Sequence, residues 1–214
     1  MADFTESYNE ISRLLQSGKA KDIAVSVQKA LDDGASPREI LEKGLIAGMS
    51  IVGGKFKRGE VFVPEVLIAA RAMNTATAAL KPALAKAGVQ PVGRAIICTV
   101  KGDLHDIGKN LVKMMIEGKG IEVEDLGVDC DPQKIVEAVK NSNAKVVCLS
   151  ALLTTTMMAQ RDAVDALKNA GIREKVKIMV GGAPVTQGFA DEIGADAYTA
   201  DAASAAEVCR AYYG

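Results

Sequence analysis

From residue 94 onward, short apolar runs alternate with amphipathic stretches, and this alternation constrains the fold more than any other feature. The apolar runs cover residues 94–100, 122–126, 145–150, 177–181 and 196–199. The amphipathic stretches cover residues 109–119, 132–142, 157–170 and 186–194, and a last one begins at Ala202. Strands and helices of these lengths in alternation favour a parallel sheet with helices on both faces. We therefore predict an α/β, Rossmann-like (flavodoxin-like) domain over residues 94–214, with five parallel strands in the order 2-1-3-4-5.

The residues before this domain show helical periodicity only. Apolar residues recur at helical spacing in the first two segments, at Ile11, Leu14, Leu15, Ile23, Val27 and Leu31. Ser36, Pro37 and Glu39 have the spacing of a capping box and predict a third helix that ends near residue 56. A turn over residues 57–60 and an alanine-rich helix over residues 65–87 follow. We predict a four-helix bundle over residues 1–88 and a linker over residues 89–93.

The overall composition excludes several classes of protein. Among 214 residues, 26 Lys and Arg oppose 27 Asp and Glu, and no basic segment carries interleaved aromatics, so we expect no nucleic-acid partner. The polar amino terminus and the absence of a long apolar run predict a cytoplasmic protein without a membrane span. The spacings of Cys98, Cys130, Cys148 and Cys209 fit neither a zinc site nor a redox CxxC motif. We predict that these cysteines are buried free thiols.

The single histidine, His105, lies in a glycine-flanked turn directly after the first predicted strand. The predicted strand order brings this turn to the same crevice as the loop after the third strand, which ends in Thr156. Asp103 precedes the histidine by two residues and can hold one imidazole nitrogen, which fixes the tautomer of a metal-bound histidine. One histidine cannot enclose a metal. The metal would therefore arrive in a macrocyclic cofactor with an open axial position.

Other interpretations of these residues remain open at this point. His105 could be an ordinary polar residue, or a base that activates Thr156 or Ser150 as a hydrolytic nucleophile, although no GxSxG elbow is present. The hydroxyl residues after the third strand could cap a helix, and Gly181-Gly182 could form a plain turn. A flavodoxin-like domain that binds no macrocyclic cofactor would share this fold.

Three motifs in order carry a resemblance to a known family. Asp103-x-His105-x-x-Gly108, Ser150-x-Leu152 and Gly181-Gly182 resemble the DxHxxG, SxL and GG signature of cobalamin-binding domains. Residues 53–64 resemble part of the helical cap that covers methylcobalamin in methionine synthase and in the small corrinoid proteins of methyltransferase systems. The similarity spans nearly the whole chain.

The resemblance implies a role for each matching residue. His105 would replace the cofactor's own dimethylbenzimidazole as the lower cobalt ligand, and Asp103 and Thr156 would form a relay behind it. Phe56 and Val63 would shield the methyl-bearing face, and the turn over residues 57–60 would act as a hinge. The other implied cofactor contacts, several of them to the nucleotide tail, are Leu104, Asp106, Ile107, Gly108, Ser150, Leu152, Thr154, Gly181 and Gly182.

The function that the resemblance implies is a methyl carrier that works only with partner enzymes. A substrate-specific methyltransferase would load cobalt from a methanol, methylamine or methyl ether donor. A second methyltransferase would pass the methyl group to tetrahydrofolate or a thiol, and a reductive activase would restore the cofactor. The alternatives are the cobalamin-binding subunit of an adenosylcobalamin isomerase and a cobalamin-sensing regulator, although the chain has no spare length for a DNA-binding helix pair.

Overall fold

The computed structural model describes residues 3–214, which divide into a helical unit and an α/β unit. The helical unit comprises the chain up to Pro91 together with Gly118–Gly120, and the α/β unit comprises Val92–Glu117 and Ile121–Gly214. None of the helices found between residues 3 and 214 is both long enough and apolar enough to cross a membrane.

The helical unit confirms the predicted helical amino-terminal domain. Its elements are α1 (Thr5–Gln16), α2 (Ala20–Asp32), α3 (Pro37–Glu39), a π-helical segment (Ile40–Ile46), α4 (Ala47–Lys57) and α5 (Val63–Lys86). The predicted third helix is therefore one helical run that changes from α to π and back to α. Buried apolar residues from these helices form the core, among them Ile11, Leu15, Ile23, Val27, Leu45, Met49, Val66 and Leu80.

The capping box predicted at Ser36 and Glu39 is wrong. The Ser36 side chain makes no capping hydrogen bond, although Pro37 does begin the helix. The Glu39 carboxylate instead accepts hydrogen bonds from the Tyr8 hydroxyl at 3.0 Å and from the Lys43 ammonium. A tertiary partner on α1 thus replaces the local backbone partner that the spacing suggested.

The α/β unit has the predicted topology. Its strands are β1 (Gly93–Thr99), β2 (Ile121–Asp125), β3 (Val146–Ser150), β4 (Lys177–Gly181) and β5 (Ala197–Tyr198). Its helices are α6 (Ile107–Glu117), α7 (Pro132–Asn141), α8 (Met158–Asn169), α9 (Gln187–Ile193) and α10 (Ala202–Ala211), with a 3-10 turn at Arg173–Lys175. The sheet is parallel in the order β2-β1-β3-β4-β5. Boundaries differ from prediction by one or two residues, and Gly93 of the predicted linker already belongs to β1.

The register of the central strands places the three sequence motifs side by side. Thr99 at the end of β1 pairs with Ser150 at the end of β3, and Ser150 pairs with Gly181 at the end of β4. The loops that follow these strands therefore leave the same edge of the sheet at the same level. This edge is the place where open α/β sheets bind ligands.

Candidate functional site

The carboxylate of Asp103 connects the two loops of the predicted site. It is only 1% exposed, and its Oδ1 accepts hydrogen bonds from the His105 amide at 3.0 Å and from His105 Nδ1 at 2.7 Å. Its Oδ2 accepts from the Leu152 amide and the Thr156 hydroxyl, each at 2.7 Å. Asp103 therefore lies between His105 and Thr156 in a chain of hydrogen bonds. Its side chain joins the loop after β1 to the loop after β3.

The same hydrogen bonds determine the charge of Asp103 and the tautomer of His105. Burial acts to raise the pKa of Asp103, but the hydrogen bonds that its carboxylate accepts outweigh burial and hold the pKa well below its usual range. An ionised carboxylate can only accept, so Nδ1 of the histidine carries the proton. The lone pair of the neutral imidazole is then on Nε2, the atom that a metal would need.

The imidazole is presented at an apolar surface. The side chain of His105 is 52% exposed, and no hydrogen bond from the described residues engages Nε2. Large apolar side chains of the two loops are also exposed, namely Leu104 at 71%, Ile107 at 77%, Leu152 at 42% and Leu153 at 43%. An open nitrogen donor among exposed apolar side chains fits a cofactor that offers a metal within a broad, largely apolar ring system.

Gly108 gives a second test of this fit. It is the second residue of α6, and an added Cβ there would meet no atom within 4 Å. A glycine in a helix costs stability relative to alanine, and the chain's own packing at Gly108 gives no reason for it. Open space at a glycine three residues after His105 fits the close approach of a bound group.

The paired glycines after β4 differ from each other. A Cβ at Gly182 would lie 1.8 Å from the Ala151 carbonyl oxygen, and its φ is 129°, so the chain's own backbone requires a glycine there. A Cβ at Gly181 would meet nothing closer than 3.6 Å, the distance to the Thr199 carbonyl oxygen. Only Gly181 therefore leaves space that a ligand could use.

The remaining predicted residues of the α/β unit lie around this edge without joining the relay. Ser150 is half-buried at the end of β3, and Thr154 is exposed. Asp106 accepts a hydrogen bond from the Asn110 side chain at 3.0 Å, which holds the start of α6. Roles for these residues in binding a cofactor stay predictions.

The geometry contradicts two interpretations, namely Thr156 as a hydrolytic nucleophile and the hydroxyl residues as caps of α8. The Thr156 hydroxyl bonds Asp103 and the Leu153 carbonyl, and no bond to the imidazole is formed, so His105 is not placed to act on it as a base. Helix capping does not account for the hydroxyls either, because Met157 precedes α8 and makes no side-chain cap.

Sequence reasoning missed two residues that hold the His105 loop. The Thr99 hydroxyl, fully buried at the end of β1, donates to the His105 carbonyl at 2.8 Å. Asp129, in the loop between β2 and α7, accepts from the Gly102 amide at 2.8 Å. The only sequence feature that could have indicated Thr99 is its place as a polar residue at the end of an apolar strand. No local sequence feature indicates the role of Asp129.

Sequence reasoning also missed a buried amide beneath the loops. Gln160 on α8 is fully buried, and its Nε2 donates to the Leu149 carbonyl at 2.9 Å and to the Gly181 carbonyl at 3.1 Å. These bonds tie together the ends of β3 and β4. Its Oε1 has no hydrogen-bond partner within the described part of the chain.

The predicted cap residues belong to the helical unit. Phe56 is half-buried near the end of α4, and Val63 is half-buried at the start of α5. The turn between them carries an ion pair of Arg58 with Glu60 and a 65% exposed aromatic residue, Phe62, that the motif comparison did not single out. The shielding role of Phe56 and Val63 stays a prediction.

The cysteines and acidic residues form no separate metal centre. All four cysteines are free and buried, as predicted. Between residues 3 and 214, no group of three or more His, Cys, Asp or Glu side chains is arranged to hold a metal ion.

Comparison with known proteins identifies the family. Two family models, each described as a B12 binding domain, match the chain over residues 93–209 and residues 8–81. The chain therefore belongs to the family of B12-binding domain proteins, which confirms the resemblance carried by the three motifs.

Individual relatives narrow the comparison within this family. The chain is 42% identical over 205 residues to dimethylamine corrinoid protein 3 of Methanosarcina acetivorans, with 96% of each chain covered. It is 32% identical to a novel cobalamin-binding protein from Desulfitobacterium hafniense DCB-2, with a TM-score of 0.81 over 100% of both chains. It is also similar to the methanol:cobalamin methyltransferase complex MtaBC from Methanosarcina barkeri, with 29% identity, a TM-score of 0.88, and 97% of this chain and 80% of that chain covered.

Proposed function

We propose that this protein is the corrinoid methyl carrier of a methylamine-type methyltransferase system, with His105 as the lower cobalt ligand. The main support for this proposal is the orientation of the His105 imidazole. Asp103 accepts the hydrogen bond from Nδ1–H, which leaves Nε2 open at the edge of the sheet. The relatives named for dimethylamine and for methanol support a methyl carrier over an isomerase subunit or a regulator. They favour a methylamine donor because the dimethylamine relative is the more similar in sequence.

A bound corrinoid would supply cobalt that accepts a methyl group and gives it up again. The residues of this chain would hold and orient that cofactor. His105 offers its Nε2 lone pair, while Asp103 keeps the proton on Nδ1 and restrains the ring through a second bond to the His105 amide. When Nε2 is not engaged, the hydrogen bond from Nδ1 to Asp103 still holds the ring in place.

The proposal also assigns partners. One methyltransferase would bring the methylamine, and a second would pass the methyl group to a thiol or to tetrahydrofolate. The solved complex of a similar protein with a methyltransferase supports the first of these partners. A reductive activase would return oxidised cobalt to its reactive state.

The test is reconstitution followed by methyl transfer. The apo protein is incubated with hydroxocobalamin, passed through gel filtration, reduced, and offered dimethylamine, monomethylamine or methanol together with the matching methyltransferase. We expect corrin absorbance to elute with the protein and the reduced cofactor to be methylated from a methylamine. Elution without corrin absorbance would contradict corrinoid binding, and methylation from methanol alone would contradict the choice of donor.

A further inference from the structure

The loop between β2 and α7, which lies outside the three motifs, forms hydrogen bonds with the backbone on both sides of Asp103. Asp129 Oδ1 accepts a hydrogen bond from the Gly102 amide at 2.8 Å, and the Asp129 amide donates to the Asp103 carbonyl at 2.9 Å. The Asp103 amide in turn donates to the Val100 carbonyl at 3.2 Å. The peptide groups that carry the Asp103 side chain are therefore fixed from before and after.

The backbone of Asp129 adopts a conformation that few side chains tolerate. Its φ is 48°, and it is the one non-glycine residue with a positive φ among residues 3–214. The loop is anchored on both sides of it, since the Gly127 carbonyl accepts from the Thr99 amide at 2.9 Å and the Cys130 amide donates to the Thr99 carbonyl at 3.0 Å. Such a conformation persists where the surroundings hold it, and it is concentrated at functional sites.

We propose that Asp129 is a positioning residue for the axial ligand. By fixing the backbone at Gly102 and Asp103, it sets the direction from which the Asp103 carboxylate holds the imidazole and thus where His105 Nε2 points. An axial ligand must lie within a fraction of an ångström of its productive position, so loosening this support should weaken ligation without removing any group that touches the cofactor. The inference rests on the proposed function, because it takes Nε2 as a ligand of corrinoid cobalt.

Two substitutions separate the hydrogen bond from the backbone conformation. Asp129→Gly keeps the left-handed backbone and removes the acceptor, whereas Asp129→Asn keeps both an Oδ1 acceptor and tolerance of a positive φ. Both variants are therefore expected to fold. Glu124→Gln, on the exposed side of β2, serves as a control that changes a carboxylate elsewhere.

Each variant is loaded with methylcobalamin, and the absorbance spectrum gives the ratio of His-ligated to unligated cofactor. We expect Asp129→Gly to lower this ratio about tenfold, the effect of one lost hydrogen bond on an equilibrium, and the Asn and Gln variants to stay within about twofold of wild type. In the apo protein, amide hydrogen exchange at Gly102 should be faster in Asp129→Gly and unchanged in the other two.

The possible outcomes are distinct. A His-ligated ratio in Asp129→Gly equal to that of wild type overturns the inference, and so does an Asn variant that behaves like the Gly variant. A wild-type protein that binds corrinoid but shows no His-ligated form refutes the proposed role of His105, and the inference fails with it. Faster Gly102 exchange with an unchanged spectrum shows a purely structural role for Asp129, while the proposed function stands.

Discussion

At the scale of single residues, the site depends on one buried carboxylate with four hydrogen-bond donors. Asp103 joins the β1 loop to the β3 loop and holds both the backbone and the ring of His105. Because this carboxylate stays ionised, the histidine keeps its proton on Nδ1 and its lone pair on Nε2. The tautomer of His105 thus depends in part on the hydrogen bonds that Asp103 Oδ2 accepts from Leu152 and Thr156.

Thr156 supplies one of those contacts. Thr156→Val keeps the shape of the side chain and removes the hydroxyl that donates to Asp103 Oδ2 at 2.7 Å. Loss of this donor should raise the pKa of the buried Asp103 carboxyl. We expect the free energy of unfolding to fall by about 1–3 kcal/mol. Urea denaturation of the apo protein measures the loss.

Thr156→Ser is the matched control, because it keeps the hydroxyl and should remain within about 1 kcal/mol of wild type. A Val variant as stable as the Ser variant would show that the hydroxyl contributes little to holding Asp103.

At the scale of elements, the glycines beside the site show which positions serve the fold and which leave space. The backbone of Ala151 occupies the side-chain position at Gly182, while the space beside Gly108 and Gly181 is free of the chain's own close contacts. The motif comparison treated Gly181 and Gly182 alike. The structure separates them.

Gly108→Ala should have opposite effects on folding and on binding. Alanine is the better helix former, so the free energy of unfolding of the apo protein should rise by up to about 1 kcal/mol. The added methyl would occupy the open space at Gly108, and corrinoid affinity should fall if that space receives the cofactor. Thermal denaturation and cobalamin titration measure the two effects, and a variant that binds cobalamin as tightly as wild type would remove Gly108 from the site.

Gly182→Ala and Gly181→Ala form a second pair. The first places a methyl 1.8 Å from the Ala151 oxygen at a φ of 129°. It should therefore destabilise the protein by about 3 kcal/mol or more. The second should change the stability of the apo protein by less than about 1 kcal/mol while weakening cobalamin binding. Equal stability of the two variants by urea denaturation would contradict this distinction.

At the scale of the whole molecule, the sequence patterns predicted the order of the elements and the two ends of the relay. Alternating apolar runs were sufficient for the parallel sheet because β1, β3 and β4 are buried. The first motif marked Asp103 and His105, and the family resemblance implied Thr156. Asp129 escaped prediction because it reaches Gly102 across a sequence separation of 27 residues and through a backbone amide, which leaves no side-chain pattern. The π-helical segment at Ile40–Ile46 escaped for a different reason, since seven residues are too few for its i→i+5 bonding to show in the pattern of apolar residues.

The stability of the folded chain in acid should depend on Asp196, which holds the β4–β5 edge. Burial acts to raise its pKa, but hydrogen bonds from the Ile178 amide, Lys177 and Arg173 lower it overall. A carboxyl with a lowered folded pKa contributes stability that is fully present above about pH 5 and is lost as pH falls through that pKa. Wild type should therefore exceed Asp196→Asn in urea midpoint at neutral pH, and the difference should shrink toward about pH 2. A difference that does not change with pH would contradict this account.

The central claim is that His105 ligates the cobalt of a bound corrinoid, and the chain allows a direct measurement because it contains one histidine. The protein is produced with ¹⁵N-histidine, loaded with cobalamin, reduced to cobalt(II), and studied by electron paramagnetic resonance. We predict that the axial nitrogen splitting changes from the triplet of ¹⁴N to the doublet of ¹⁵N, and that His105→Ala shows no such doublet. A triplet that persists in the labelled protein would mean that the cofactor's own base remains on cobalt, and it would contradict the assignment of His105.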